Sequence, residues 1–250
     1  MKKLRNHDKK DVSVHLLGLG IDPQRMIDSV IESIKAKIQI VSDCPCLETS
    51  SALRTDLITY RSLRRVIAAK KPKSPSVIRS AARDIGYWKD QAISGSIINV
   101  NIDNILNPLK DFFEEPQKFE CVSTMECVER IEKLQKKVRS KLDEKWFSFK
   151  EFHELRNELF RRIFHFVKAV RLTTKFGENL QKISDEFFEL NRKMQDVNQT
   201  LGFLNDCLVT FDDREHSLAE IKWMKEKINI SDEVRQKCVL ALDSLEFTIE

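Results

Sequence analysis

The side chains in this chain best suited to chemistry are arginines at helical spacing in two similar segments, and that chemistry is anion binding. The first segment is Leu53-Arg54-Thr55-Asp56-Leu57, continued by Tyr60-Arg61-Ser62-Leu63-Arg64-Arg65 and later by Asp84-Ile85-Gly86-Tyr87-Trp88-Lys89-Asp90. The second is Leu155-Arg156-Asn157-Glu158-Leu159, continued by Arg161-Arg162 and later by Leu201-Gly202-Phe203-Leu204-Asn205-Asp206. At about 100° per residue, Arg54, Arg61 and Arg65 fall within about 40° of one another, on an arc shared with Ile58. Three guanidinium groups in one line repel one another unless an anion sits between them, and arginine meets phosphate oxygens in bidentate geometry. The doubled pattern predicts two similar helical halves that present cationic faces across a shared groove.

The second segment sorts differently around its helix. Leu155, Leu159, Ile163, Phe166, Val167 and Val170 form an apolar arc, flanked on one side by His153, Arg156, Lys168, Arg171 and Lys175. Arg161 and Arg162 fall toward Glu154 and Glu158. Glu158 precedes Arg162 by four residues, the favourable order for a helix-surface ion pair, so this pair is expected on a solvated face. On the preceding helix Arg130, Lys133, Lys137 and Lys141 make a stripe beside Val128, Ile131, Leu134, Val138 and Leu142. An antiparallel hairpin would bring that stripe to His153 and Arg156. Cations from several helices facing one groove give avid, salt-sensitive binding of a polyanion. The expected polyanion-binding set is therefore Arg54, Arg61, Arg64, Arg65, Lys89, Lys133, Lys137, Lys141, His153, Arg156, Lys168 and Arg171.

Other chemistries find less support. The histidines His7, His15, His153, His165 and His216 do not pair with carboxylates or cysteines at metal-ligand spacing, so neither a metal site nor a catalytic constellation is expected. Gly18-Leu19-Gly20 lacks the third glycine and the preceding strand of a dinucleotide loop, and no cofactor is expected. Asp90 and Asp206 read as structural partners of helix ends or arginines. The cysteines, Cys44, Cys46, Cys121, Cys127, Cys207 and Cys238, lack zinc-knuckle spacing and read as reduced thiols. RNA or an acidic protein remains the alternative partner. Stacking platforms for a single strand would have to come from Tyr60, Phe160 or Phe164, which at helical spacing more often serve a core.

The elements that must position these residues are all helical. In 250 residues, 43 Lys+Arg nearly balance 39 Asp+Glu, and only six glycines and six prolines interrupt the pattern. The distribution of charge therefore matters more than its total. Asp22-Pro23 is a cap and first helical residue, followed by Met26, Ile27, Val30, Ile31, Ile34 and Ile38 at helical spacing. Cys44-Pro45-Cys46 ends that helix, and Thr49 or Ser50 caps the next, which runs to about Ala69. Further helices are expected from Ser76 to Ile93, Asp103 to Glu114, Thr124 to about Lys145, Phe149 to about Phe176, Glu178 to about Phe211, His216 to Ile228 and Ser231 to Leu245. Residues 1–20 read as an N-terminal extension, 21–118 as a first helical repeat and 119–250 as a second, together one domain. No run of about 18 apolar residues predicts a membrane span, a signal peptide is not expected after the charged first residues, and the chain reads as cytoplasmic.

With those residues in view, the chain resembles the CHAD domains, the conserved histidine α-helical family. The second half matches through His153-x-x-Arg156, the long amphipathic helix after it, and Leu201-Gly202-x-x-Asn205-Asp206. The first half matches through Leu53-Arg54, Arg61 and Ile85-Gly86-x-x-Lys89-Asp90, where the family usually has Leu-Gly-x-x-Arg-Asp. The likeness covers residues 20 to 245. It implies an all-α fold of two pseudo-symmetric antiparallel helical bundles around a basic groove that binds inorganic polyphosphate, with Arg54, Arg61, His153 and Arg156 at anion-binding positions. Ser51 stands where the first copy would carry its histidine, and Ile58, Phe160 and Ile163 stand where the family is often basic. These departures make the chain a divergent member with a reduced cationic inventory.

Overall fold

The computed structural model describes residues 22–70, 75–93, 101–115, 120–176, 185–209 and 228–245, without the side chains of 89–93, 174–176, 185–187 and 205–209. The expected N-terminal extension, the Gly95–Val100 stretch, the expected helix from His216 and the Pro116–Phe119 part of the boundary between repeats lie outside the described residues.

Everything described is helix or connection; two isolated antiparallel bridges, Ala68 to Cys121 and Phe147 to Ile228, stand in for sheet. Helix α1 (Pro23–Asp43) begins as its sequence requires: Asp22 accepts from Gln24 N at 2.9 Å and Pro23 needs no donor there. Helix α2 (Leu47–Ile67) starts earlier than expected. Its cap is Cys46, whose Sγ accepts from Thr49 N at 3.5 Å while Thr49 Oγ1 accepts from Cys46 N at 3.2 Å. Thr49 thus closes a capping box from inside the helix instead of capping it. Helix α3 spans Ser76–Ile93 and α4 spans Asp103–Glu114, with Asn101 Oδ1 taking Asp103 N at 3.1 Å. Asn101, two residues before the first helical residue, thus takes the first free amide of α4.

Helix α5 (Thr124–Leu142) is capped by Ser123 and ends three residues short of the expected Lys145. The long helix from Phe149 is not uniform. It opens as α6 (Phe149–His153), widens into a π turn over Glu154–Phe160, and resumes as α7 (Arg161–Phe176). Helix α8 (Asp185–Val209) and α9 (Asp232–Asp243) follow, with Ser231 accepting from Val234 N at 3.4 Å.

Helix α2 is the hub, packed against α1, α3 and α7, while α5 lies along the π turn and α8 on α9. Apolar residues from every helix join one continuous core, including Met26, Leu57, Ile85, Leu106, Ile131, Phe152, Phe166, Met194 and Leu242. Two arginines tie the connections to helix ends. Arg130 donates to Val66 O at 2.8 Å and Ala68 O at 2.7 Å, satisfying the last carbonyls of α2. Arg235 likewise donates to Leu142 O at the end of α5 and to Ile230 O at 2.8 Å. Arg130, placed in the cationic stripe by its spacing, is therefore a capping residue.

Candidate functional site

Three stretches of chain converge on one cavity of about 630 Å³. Helix α2 contributes Arg54, Ile58, Arg61, Ser62 and Arg65; α3 contributes Arg79, Ala82 and Arg83; the α6–π–α7 helix contributes Phe149, His153, Arg156, Asn157, Glu158 and Arg161. Among the described residues, its lining thus sets seven arginines and one histidine against a single carboxylate. Five of the expected residues meet there: Arg54, Arg61, Arg65, His153 and Arg156. Arg79, Arg83 and Arg161 join them.

Each arginine is set by a different local device. Arg54 lies across α3, its Nε donating to Ala82 O at 2.9 Å. This approach needs Gly86, because a methyl group there would sit 2.9 Å from Arg54 Nε. The second motif repeats the pairing: a methyl at Gly202 would meet Arg156 Nη2 at 3.3 Å. In both motifs, then, the glycine is the place where the arginine head of the other helix rests.

Arg156 and Arg161 are brought together by the π turn. In an α-helix, residues five apart lie about 140° apart around the axis, whereas the i→i+5 bonding of a π turn stacks them on one line. Arg161 N donates to Arg156 O, and both guanidinium groups reach Asn157 Oδ1, at 3.2 Å and 3.4 Å. The solvated face expected for Arg161 and Arg162 is therefore corrected. Arg161 lines the cavity, and Arg162, also half-buried, binds Glu158 in the expected i,i+4 pair. An unbroken α-helix would turn Arg161 toward solvent; the π turn over Glu154–Phe160 brings it inward.

Glu158 also takes Arg65 Nη1 at 3.0 Å and 3.3 Å, tying α2 to the π turn. Burial pushes its carboxyl up, but Arg162 and Arg65 outweigh that and hold it below the usual range. Arg61 reports the field of the cavity. Burial and then the charges of Arg65 and Arg79 pull its guanidinium below the usual arginine range, with Glu158 only partly compensating.

The remaining expected residues whose side chains are described lie elsewhere. Lys168 Nζ donates to Asp56 Oδ1 at 2.7 Å; Asp56 is fully buried and also takes Lys37 and, at 2.6 Å, Ser33 Oγ. Burial pushes the Asp56 carboxyl up, but Lys168 and Lys37 more than offset it, and the net shift is downward. Lys168 is thus a structural cation, since a buried carboxylate between α1, α2 and α7 demands it. Lys133 pairs with Glu129 at 3.7 Å and Lys141 with Glu144 at 3.1 Å; neither they nor the exposed Lys137 line the cavity. The expected hairpin between α5 and the next helix forms, but it is the apolar arc of α5 that faces the π turn. Arg64 stacks over the Tyr60 ring at 5.5 Å and Arg171 over Phe188 at 5.7 Å. The side chains of Lys89, Lys175, Asp90 and Asp206 lie outside the described residues.

Arg79 and Arg83 left a usable sequence signal: they precede Gly86 by seven and three residues, so they share its face of α3. The buried His165 left none. Its Nδ1 lies 2.9 Å from Thr59 Oγ1, which itself donates to Thr55 O at 2.9 Å, so the imidazole carries its proton on Nδ1. Tyr60, Phe160 and Phe164, the candidate stacking platforms, are all buried in the core. Among the described residues no cluster of His, Cys, Asp and Glu is assembled that could hold a metal ion, and no helix is long and apolar enough to cross a membrane. No protein-family model, curated protein or solved structure matches this chain.

Proposed function

We propose that this chain is a non-enzymatic polyanion-binding module whose ligand is inorganic polyphosphate, held in the arginine-lined cavity between α2, α3 and the π turn. One observation carries the proposal: among the described residues, seven arginines from three separate stretches of chain line one cavity, with Glu158 the single carboxylate beside them. Guanidinium groups match phosphate oxygens bidentately, and a cluster of them is stabilised when an anion removes their mutual repulsion. The paired contacts of Arg54 with Gly86 and of Arg156 with Gly202 support the CHAD-like, pseudo-symmetric reading of the two motifs. Burial of Tyr60, Phe160 and Phe164 leaves Phe149 as the aromatic ring among the described lining residues, short of the successive platforms a single-stranded RNA uses.

Isothermal titration with polyphosphate at low and high salt tests this reading. Tight binding that weakens steeply with salt is expected, together with at least a tenfold loss in a variant carrying Arg54→Gln, Arg61→Gln and Arg156→Gln. Absence of binding at low salt, or a variant indistinguishable from the wild type, overturns it. Preference for RNA over polyphosphate at equal charge would favour a nucleic-acid adaptor instead.

A further inference from the structure

Building on the polyanion reading, we infer that Glu158 is the internal competitor of the site. Its carboxylate holds Arg65 in the place a phosphate takes, and the ligand binds by exchanging with it at that guanidinium.

Glu158 stands in the cavity lining among the arginines and reaches from the π turn to Arg65 on α2, 93 residues away along the chain. Carboxylate and phosphate oxygens accept from a guanidinium in the same geometry, so one can replace the other at Arg65. The carboxylate does not use all that Arg65 offers. Both bonds come from Nη1, at 3.0 Å and 3.3 Å, a three-centre contact and not the fork of two nitrogens. A phosphate that engages two nitrogens of the fork together makes the stronger pair.

The contact also lies where exchange costs little. The side chains of Arg65 and Glu158 are 36% and 42% exposed, and ion pairs this open to water contribute little to folding. Asp56 is the contrast: at 0% exposure its lysines cannot leave without stranding a buried charge. Glu158 is not stranded when Arg65 leaves, because Arg162 holds it from one turn further along its own helix. Before the ligand arrives, Glu158 also offsets part of the effect of Arg65 and Arg79 on Arg61, whose guanidinium they pull below the usual range. It stands in for the anion that the arginines need.

Titration calorimetry on the full chain, with inorganic polyphosphate of a single chain length at low salt, tests this through a double-mutant cycle. Glu158→Gln is expected to bind about fivefold tighter than the wild type, because Arg65 no longer has to leave a carboxylate. In an Arg65→Gln background the same substitution should gain less than about twofold, since only the field of the lost charge remains. Thermal melts check that each variant is folded. If Glu158→Gln is not, Glu158→Asp, which draws the carboxylate back by one methylene, goes through the same cycle. The inference is overturned if the change at Glu158 leaves affinity equal or lower, or if the gain is as large without Arg65 as with it. Polyphosphate binding itself survives in both cases. Absence of binding by the wild type and by every variant would instead remove the polyanion reading on which the inference rests.

Discussion

At the scale of single residues, the site depends on small groups that make room for large ones. Gly86 is a helix-interior glycine, and by propensity alone an alanine there would gain up to about 1 kcal/mol. The contact distance decides otherwise, because the added methyl would press on Arg54 Nε at 2.9 Å and threaten its bond to Ala82 O. Gly86→Ala is expected to lower anion affinity at least fivefold while changing stability by no more than about 1 kcal/mol, the propensity gain offsetting the displaced arginine. Gly202→Ala, with 3.3 Å to a flexible Nη2, should have a smaller effect in the same titration. Equal affinity in the wild type and Gly86→Ala would show that the position of Arg54 does not matter for binding. The glycines were visible in the sequence as parts of a doubled motif. Their use was not, since which arginine rests on which glycine is a long-range contact.

At the scale of elements, the π turn is the decisive one. It replaces about 140° of separation between Arg156 and Arg161 by near alignment, with Asn157 Oδ1 between their guanidinium groups. Widened turns of this kind often mark functional positions in otherwise regular helices. Asn157→Asp keeps the size of the side chain but puts a full negative charge where the two arginines meet. It should tighten their pairing, leave thermal stability equal or slightly raised, and reduce affinity for a phosphate ligand about tenfold, as read by competition titration. Nothing in the local sequence Glu154-Leu155-Arg156-Asn157-Glu158-Leu159-Phe160 breaks an α-helical pattern. The widened turn goes with its tertiary packing, against α5 and α8. For that reason periodicity points Arg161 to solvent, whereas the tertiary structure turns it inward.

At the scale of the whole molecule, two buried polar clusters join α2 to α7 and give stability its pH dependence. His165 is fully buried among apolar side chains, and burial first, then Arg161 and Lys168, hold its imidazole well below the usual range. The unfolded chain takes up a proton near pH 6.5 that the folded chain refuses, so stability is present above about pH 6.5 and falls as pH drops below it, by up to about 1.4 kcal/mol per unit. Asp56 acts at lower pH. Its folded carboxyl titrates below its unfolded value of about 3.9, so its contribution is present above that pH and is lost as pH falls through the folded value. Thermal melts should therefore show a decline between about pH 6.5 and pH 4.5 that His165→Gln removes, because glutamine can still donate to Thr59 without titrating. A decline unchanged in that variant would assign it to other groups. Asp56→Asn should cost about 3 kcal/mol at neutral pH, since it leaves Lys37 and Lys168 facing each other across a half-buried gap.

The sequence alone determined the helices, because apolar periodicity, Asp22-Pro23, Ser123 and Ser231 are local signals that act within one or two turns. It also determined that Arg54, Arg61 and Arg65 share a face, since three residues of one regular helix obey one angle. Only the tertiary structure decided what shares a site. It drew in Arg79, Arg83 and Arg161, kept the α5 lysines outside, and committed Lys168 to Asp56, residues 112 apart along the chain. The physical reason is that side-chain spacing fixes direction around one helix axis. Which axes meet, and where a helix slips by one residue, follows from how the shared core packs.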